Sequence, residues 1–482
     1  MSERLSRRNV LRLMGAGIAL PVLAACQPQV IKETVVVEKE KVVKETVVQE
    51  KVVKETVVQE KEVTKVVEKS VEKLVTAVPA PPKSGTIETW DFGGAEFEFI
   101  DTAMIPDFNS RYPGITIKHV GIPEDGYSTK IKTVVAAGTP PDVCVFADRA
   151  LSKAGQIMAV DDLLASAGID WKTDFIVPIV NNYCMIDDGK VYGMPTQAAL
   201  WAGAFNEDLF KAAGLEPINP EQGYDFEAWY KIAKAINKPS KDISNRVWGT
   251  DAIDLRYNNN VPKYCGEDGK TVIGNWDSEG WVKMYQIRVQ MWKDELFPIG
   301  DVGTALGGGP FELGKSGMTQ EDYGPLRKII EEKGINAKVC QFPRFPATGE
   351  QSGKASVVGW SDSYYGFKAT KAPDAVRAWL LYLTTDGMII RSSLSKYPPI
   401  NKQMLAKMNW VEHNLQGKEV MGLLNNQQVE PFKPYFDDSP LETFWTRVTE
   451  SGQPIEATLH ESAKELQANL DKAWKEWNEI GK

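Results

Sequence analysis

Aromatic side chains beside short polar ones recur in turn-like stretches of this chain. They are Trp90-Asp91-Phe92, Gln197 with Trp201, Asp322-Tyr323, Trp360-Ser361-Asp362-Ser363-Tyr364-Tyr365 and, in SPLETFW, Trp445. An indole or phenol plane stacks on apolar C–H surface, while a neighbouring carboxylate or amide takes paired hydroxyls in bidentate hydrogen bonds. That combination suits a polyol such as a sugar, held without a covalent step. The chain has 14 Trp. Trp379, Trp474 and Trp477 lie on helical patterns and are expected to pack rather than to bind.

Other chemistries are poorly served. Gly309-Pro310-Phe311-Glu312-Leu313-Gly314-Lys315-Ser316 fits the spacing of a phosphate-cradling loop, but that chemistry needs an apolar strand before the loop and a helix after it. GDVGTALGG is no such strand, so PFEL reads as a short helix stopped by Gly314. With only His119, His413 and His460, and no paired spacing, a catalytic zinc site is not expected, nor any other metal or cofactor. No GxSxG elbow is present. Two facing carboxylates could still make a glycosidase, although Asp254, Asp268 and Asp277 read as turn residues. The formal net charge of −9 argues against a nucleic-acid partner.

These residues must be positioned by roughly 400 residues from Thr86 onward, more than one hydrophobic core accommodates, so two domains are expected. TIETWDF, IDTAMIPDFNSRYPG and ITIKHVGI read as strand, helix, strand. KIKTVVAAGTPPDVCVFAD continues with a helix, a Gly/Pro turn and an apolar strand ending at Asp148. Such alternation implies a mostly parallel sheet with ligands beyond the carboxyl ends of its strands, here Trp90 to Gly94 and Ala147-Asp148-Arg149. Cys144 and Cys340 lie in apolar strand-like runs and are expected to be buried thiols.

The order DFNSRYPGITIK, AAGTPPDVCVF, DDGKVYGMPTQ, FNEDLFKAAGLEP, FEAWYKIAKAI, then FELGKSGM, VCQFP and KAPDAVRAWLLYL resembles the extracellular solute-binding proteins of ABC importers, in particular their sugar-binding branch. The resemblance implies an α/β, two-lobe periplasmic-binding-protein-like fold that closes on a solute in the cleft. It places three hinge crossings near Thr196 to Ala204, Gln341 to Phe345 and Thr384 to Leu394. Lobe 1 is then 86–198 plus 345–390, and lobe 2 is 199–344 plus 391–482. It also implies ligand contact for GWSDSYYG, where bulky aromatics stand in place of the usual glycines. Asp148-Arg149 resembles an acidic-basic pair at the matching strand end of maltodextrin binders.

The chain opens with a basic stretch, the short apolar run LMGAGIALPVLAA and then Cys26, the pattern of an export signal over 1–25. Arg7-Arg8 resembles a twin-arginine signal; Val10 stands where Phe is common, which keeps the general secretory route open. Leu23-Ala24-Ala25-Cys26 resembles a lipobox, which implies acylation of Cys26 and retention at the membrane. Residues 26–85 form a low-complexity tether. KVVKETVVQE is written twice over residues 41–60, and 10 Lys and 10 Glu lie between residues 32 and 73. Its five-residue valine period matches neither a helical stripe nor a heptad. The sequence thus predicts a lipid-anchored protein on the outer face of the cytoplasmic membrane that passes a solute, most simply a carbohydrate, to ABC permease subunits. A sensory or scaffold lipoprotein and a carbohydrate-active enzyme are the alternatives.

Overall fold

The computed structural model describes residues 84–94, 97–220, 223–251, 264–344, 358–425, 427 and 431–481. The expected leader, Cys26 and the tether up to residue 83 lie outside them, as does Asp254. The first sheet has the order β2-β1-β3-β9-β4, formed by β1 (Gly85–Phe92), β2 (Ile115–Ile122), β3 (Val143–Val145), β4 (Met194–Pro195) and β9 (Ser363–Gly366). β1 pairs parallel with β2 and β3. The connecting helices are α1 (Ile105–Arg111), entered through a π-turn over Ile100–Met104, and α2 (Tyr127–Ala136). The expected strand–helix–strand order is therefore present.

The two-residue period of β1 sorts its side chains. Gly85, Ile87, Thr89 and Asp91 share the face covered by helix α3 (Pro373–Leu383), where a Cβ on Gly85 would lie 3.1 Å from those of Ala372 and Ala375. Trp90 and Phe92 point to the α2 side, where the Tyr127 hydroxyl donates to the Trp90 carbonyl at 3.1 Å.

The second sheet is built on β5 (Ala199–Asn206), flanked by β6 (Met318–Asp322), β7 (Ala337–Cys340) and β8 (Val358–Trp360). All its pairings are antiparallel, as are those of β9 with β3 and β4. The expectation of a mostly parallel sheet is therefore corrected. Strands that return from the other sheet are not bound by the right-handed crossover that makes neighbours parallel.

The chain leaves the first sheet at Pro195 and joins the second at Ala199, so the first crossing is Thr196 to Ala198, inside the expected span. The second is not at Gln341 to Phe345. Arg344 still pairs with Asp225 and β8 still pairs with β5, so the chain changes sheets only at Ser361-Asp362. The third also lies later than Thr384 to Leu394. Helix α4 (Asp386–Ser395) still packs on Ile100–Met104, and Lys396 then turns the chain with φ of 68°.

Two apolar cores result. One surrounds the first sheet with Phe108, Trp379 and Val376 and continues beneath the crossings to Ala202, Tyr323 and Leu326. The other fills the second lobe with Trp229, Trp276, Trp281, Tyr285 and Phe444, the Trp276 and Trp281 rings 4.3 Å apart. Eight of the 14 tryptophans are thus structural: Trp90, Trp229, Trp248, Trp276, Trp281, Trp379, Trp410 and Trp477 are all buried. Cys144 and Cys340 are buried as expected, with Cys184 and Cys265, and no disulfide joins them.

Candidate functional site

At the crossings the structure gathers one buried hydrogen-bonded network. Ser361 Oγ accepts from the backbone N–H groups of Thr196 (3.0 Å) and Gln197 (3.3 Å), and the Thr196 hydroxyl donates to the Asp362 carbonyl at 2.7 Å. Gln197 Nε2 donates to Asp362 Oδ2 at 3.0 Å. Arg391, on α4, then joins three members of the network. Its Nε donates to Gln197 Oε1 at 2.9 Å, its Nη1 to the Tyr364 hydroxyl at 3.2 Å and its Nη2 to Asp362. Tyr364 in turn donates to Asp91 Oδ2, while Asp91 Oδ1 takes the Phe92 N–H at 2.8 Å. Five expected residues, Asp91, Gln197, Ser361, Asp362 and Tyr364, thus meet round an arginine that local sequence patterns did not single out.

The electrostatics follow from burial. Removal from water raises the Asp91 pKa to about 6, against the pull of Arg391 and the Tyr364 hydroxyl. The same cause raises Asp362, with Arg391 opposing it. Burial also works against the Arg391 charge, but Tyr364, Asp362 and Asp91 outweigh it, so the guanidinium stays protonated.

Next to this network lies an aromatic pair. Trp201 on β5 and Trp360 on β8 are both half-buried, their rings edge-to-face with centroids 6.2 Å apart. Trp201 is paired across the ladder with Asp322 at the end of β6. Asp322 Oδ1 caps the helix Tyr323–Lys333 through the Gly324 N–H at 3.1 Å and accepts from the Tyr397 hydroxyl at 2.7 Å. Burial raises its pKa to about 6 as well. An aromatic wall with a carboxylate at its foot can hold a hydroxyl-bearing ring on its C–H face.

The remaining expected residues fall elsewhere. Trp90 is buried with its indole N–H on Glu88 at 2.6 Å, and Phe92 packs on Tyr127, Phe97 and Phe146. Asp148 caps the helix Arg149–Lys153 through the Ala150 N–H at 2.9 Å and lies 3.4 Å from Lys132. Arg149 sits 5.4 Å from the Phe432 ring and 5.7 Å from Tyr435, which reach it from the C-terminal segment. Trp445 stands in the second lobe beneath Arg288, at 4.4 Å. Tyr323 is not brought to the aromatic pair. It is fully buried against Trp410, with its hydroxyl on the Leu415 carbonyl at 2.7 Å, because the residue after the Asp322 cap turns inward with its helix.

The phosphate-loop spacing is refused by the structure. Val302–Leu306 is helical, Lys315 N closes a single turn on the Pro310 carbonyl at 2.7 Å, and the Lys315 ammonium is bound to the Ser244 carbonyl. Asp268 and Asp277 close turns as expected. Among the described residues no group of three or more His, Cys, Asp or Glu side chains is placed to hold a metal ion, and no helix is long and apolar enough to cross a membrane.

Comparison with known proteins gives a consistent picture. The sequence profile of the bacterial extracellular solute-binding proteins matches residues 95–389. A Brucella abortus (strain 2308) protein named only as a binding protein is 26% identical over 396 residues, 79% of this chain and 90% of that one. The sn-glycerol-3-phosphate-binding periplasmic protein UgpB of the same strain is 27% identical over 222 residues, 44% of this chain and 51% of its own length. Among solved structures, the sugar-binding protein MalE of Xanthomonas citri superposes with a TM-score of 0.65 at 16% identity, covering 82% of this chain and all of that one. UgpB of Mycobacterium tuberculosis, in complex with glycerophosphocholine, gives 0.63 at 17% identity, covering 81% and 99%.

Proposed function

Because the chain belongs to the bacterial extracellular solute-binding protein family of ABC importers, a family of binding proteins rather than enzymes, we propose that it captures a carbohydrate in the cleft between its two lobes and delivers it to an ABC permease. The observation that carries this reading is the Trp201–Trp360 pair with Asp322 beside it, at the point where two crossings enter the second sheet. Aromatic planes bind the C–H faces of a sugar, and the carboxylate takes its hydroxyls. With a pKa of about 6, Asp322 is mainly anionic at neutral pH. A negative charge there disfavours a phosphate-bearing solute such as sn-glycerol 3-phosphate.

Capture proceeds by lobe closure, the solute bridging both lobes and shifting the open–closed population by its preference for the closed form. The lobes divide at the observed crossings, with β8 assigned to the second. Asp148 and Arg149 of the first lobe and Trp445 of the second are proposed as outer contacts, whereas Trp90 and Phe92 are packing residues of the first-lobe core. Export through the leader, acylation of Cys26 and a tether over 26–85 would hold this domain on the outer face of the cytoplasmic membrane, within reach of the permease. A thermal-shift screen tests the solute class, with maltotriose, other mono- and oligosaccharides, sn-glycerol 3-phosphate and glycerophosphocholine as probes. Stabilisation by a sugar supports the reading. Stabilisation by a phosphate ester with none by any sugar overturns it.

A further inference from the structure

Among the described residues two chain segments pass directly from one sheet to the other, and one side chain touches both. Arg391, on α4 of the first lobe, binds Gln197 in the first crossing and Asp362 in the second. Its remaining arm reaches Tyr364 on β9, which is bound to Asp91 at the end of β1. The Phe99 ring lies 5.5 Å from the guanidinium carbon and closes one face of it. Arg391 and all of these partners except the partly buried Phe99 are buried. Of the basic side chains, only a guanidinium can present N–H donors in three directions of one plane at once.

We infer that Arg391 is the positioning residue of the hinge: it ties the first and second crossings to the first lobe, so that opening and closing are confined to the second-lobe end of these two crossings. The physical reason lies in where the partners are anchored. Tyr364 and Asp91 belong to the first sheet, and α4 packs on Ile100–Met104 of the same lobe. Gln197 and Asp362 are thereby held to that lobe, although each is a connector. Dihedral changes then fall beyond Gln197 in the first crossing and before Asp362 in the second. After α4 the chain is still bonded to the first lobe at Ile400, Asn401 and Lys402, so the third crossing lies beyond them, while the Tyr397 hydroxyl donates to Asp322 of the second lobe. A change of lobe angle would thus act on Asp322 and the Trp201–Trp360 pair while the Arg391 group stays fixed. This inference rests on the lobe-closure reading for its use in capture, but its test needs no solute.

Hydrogen exchange of the ligand-free protein, read by mass spectrometry on peptides covering 193–204, 358–368 and 455–479, separates the possibilities. In Arg391→Met, exchange in the first two peptides should rise together by ~10-fold or more, the loss expected for hydrogen bonds to a charged group, with 455–479 unchanged. Tyr364→Phe leaves both charges and the Gln197 and Asp362 bonds in place. It should therefore speed exchange in 358–368 alone, and it keeps the test decisive if Arg391→Met does not fold. Unchanged exchange in both crossings of Arg391→Met, a rise in only one, or a rise at 193–204 in Tyr364→Phe overturns the assignment. Small-angle scattering of wild type with the sugar that stabilises it tests closure separately. A wild type that does not contract, with the exchange pattern as expected, would sink the closure reading and leave the Arg391 tie standing.

Discussion

Asparagine in place of Asp91 turns the buried network into a pH experiment. Burial is the main force raising the Asp91 pKa from 3.8 to about 6, opposed by Arg391 and the Tyr364 hydroxyl. Between those two values the folded chain keeps a proton that the unfolded chain has released. Stability changes with pH as the protons bound by the unfolded state minus those bound by the folded one. For Asp91 that difference is negative, so its contribution falls as pH rises through the window and returns on acidification. At about 1.4 kcal/mol for each tenfold change in proton affinity, the full effect is roughly 3 kcal/mol. About half of it, ~1.4 kcal/mol, develops between pH 7.5 and pH 5.

The assay is chemical denaturation of wild type and Asp91→Asn at those two pH values. Other carboxylates raised by burial, Asp251 and Asp322 among them, titrate in both proteins and cancel. A constant penalty is expected in the variant because an amide replaces the oxygen that accepts the Phe92 N–H. The pH-dependent part is the diagnostic one. Wild type should gain about 1.4 kcal/mol more than the variant on going from pH 7.5 to 5. Equal gains would refute the argument that the desolvation of Asp91 outweighs the compensation from Arg391.

Trp360→Ala should weaken sugar binding by ~30-fold, the loss of about 2 kcal/mol expected of a hot-spot aromatic. At a sugar concentration near 100 Kd of wild type, stabilisation would drop from about 2.7 to about 0.9 kcal/mol. An unchanged thermal shift removes Trp360 from the site. Gly203→Ala should cost about 1–3 kcal/mol by overpacking, because a Cβ there would lie 2.8 Å from the Gln341 carbonyl and 3.2 Å from that of Cys340; an unaltered denaturation midpoint contradicts this. Trp477→Phe removes the indole bond to Asp187 at 2.9 Å. A double-mutant cycle with Asp187→Asn should return a coupling of about 1 kcal/mol, and additivity would show the contact carries no energy.

The strand–helix–strand opening was legible because its periods change cleanly from 2 to 3.6 within Gly85–Ile122. The crossings were less so. Nothing local marks Ser361-Asp362 as the place where the chain changes sheets, since β8 and β9 read as one run and are separated only by their partners in space. Asp91, Gln197, Ser361, Asp362 and Tyr364 stand out as polar residues near aromatics, a local criterion that finds the members of the network but not what joins them. Arg391 carried one faint signal, a charge within the apolar helical run GMIIRSSL. Its hydrogen-bond partners lie 27 to 194 residues away in the chain, a separation that no spacing rule spans. The abundance of Trp misdirected, because a large second-lobe core uses the same residue that a sugar site would.

The four buried cysteines have a practical consequence. Burial pushes the Cys184 thiol up to about 12 and those of Cys144 and Cys340 higher still, so none of the three offers thiolate at neutral pH. Cys265 is also shielded from solvent. In a chain that starts beyond Cys26, one cysteine introduced on the surface of each lobe would be the preferred target of thiol-directed dyes, with no need to replace the native residues. Energy transfer between two such dyes would then follow the separation of the lobes molecule by molecule, in the presence and absence of each candidate solute.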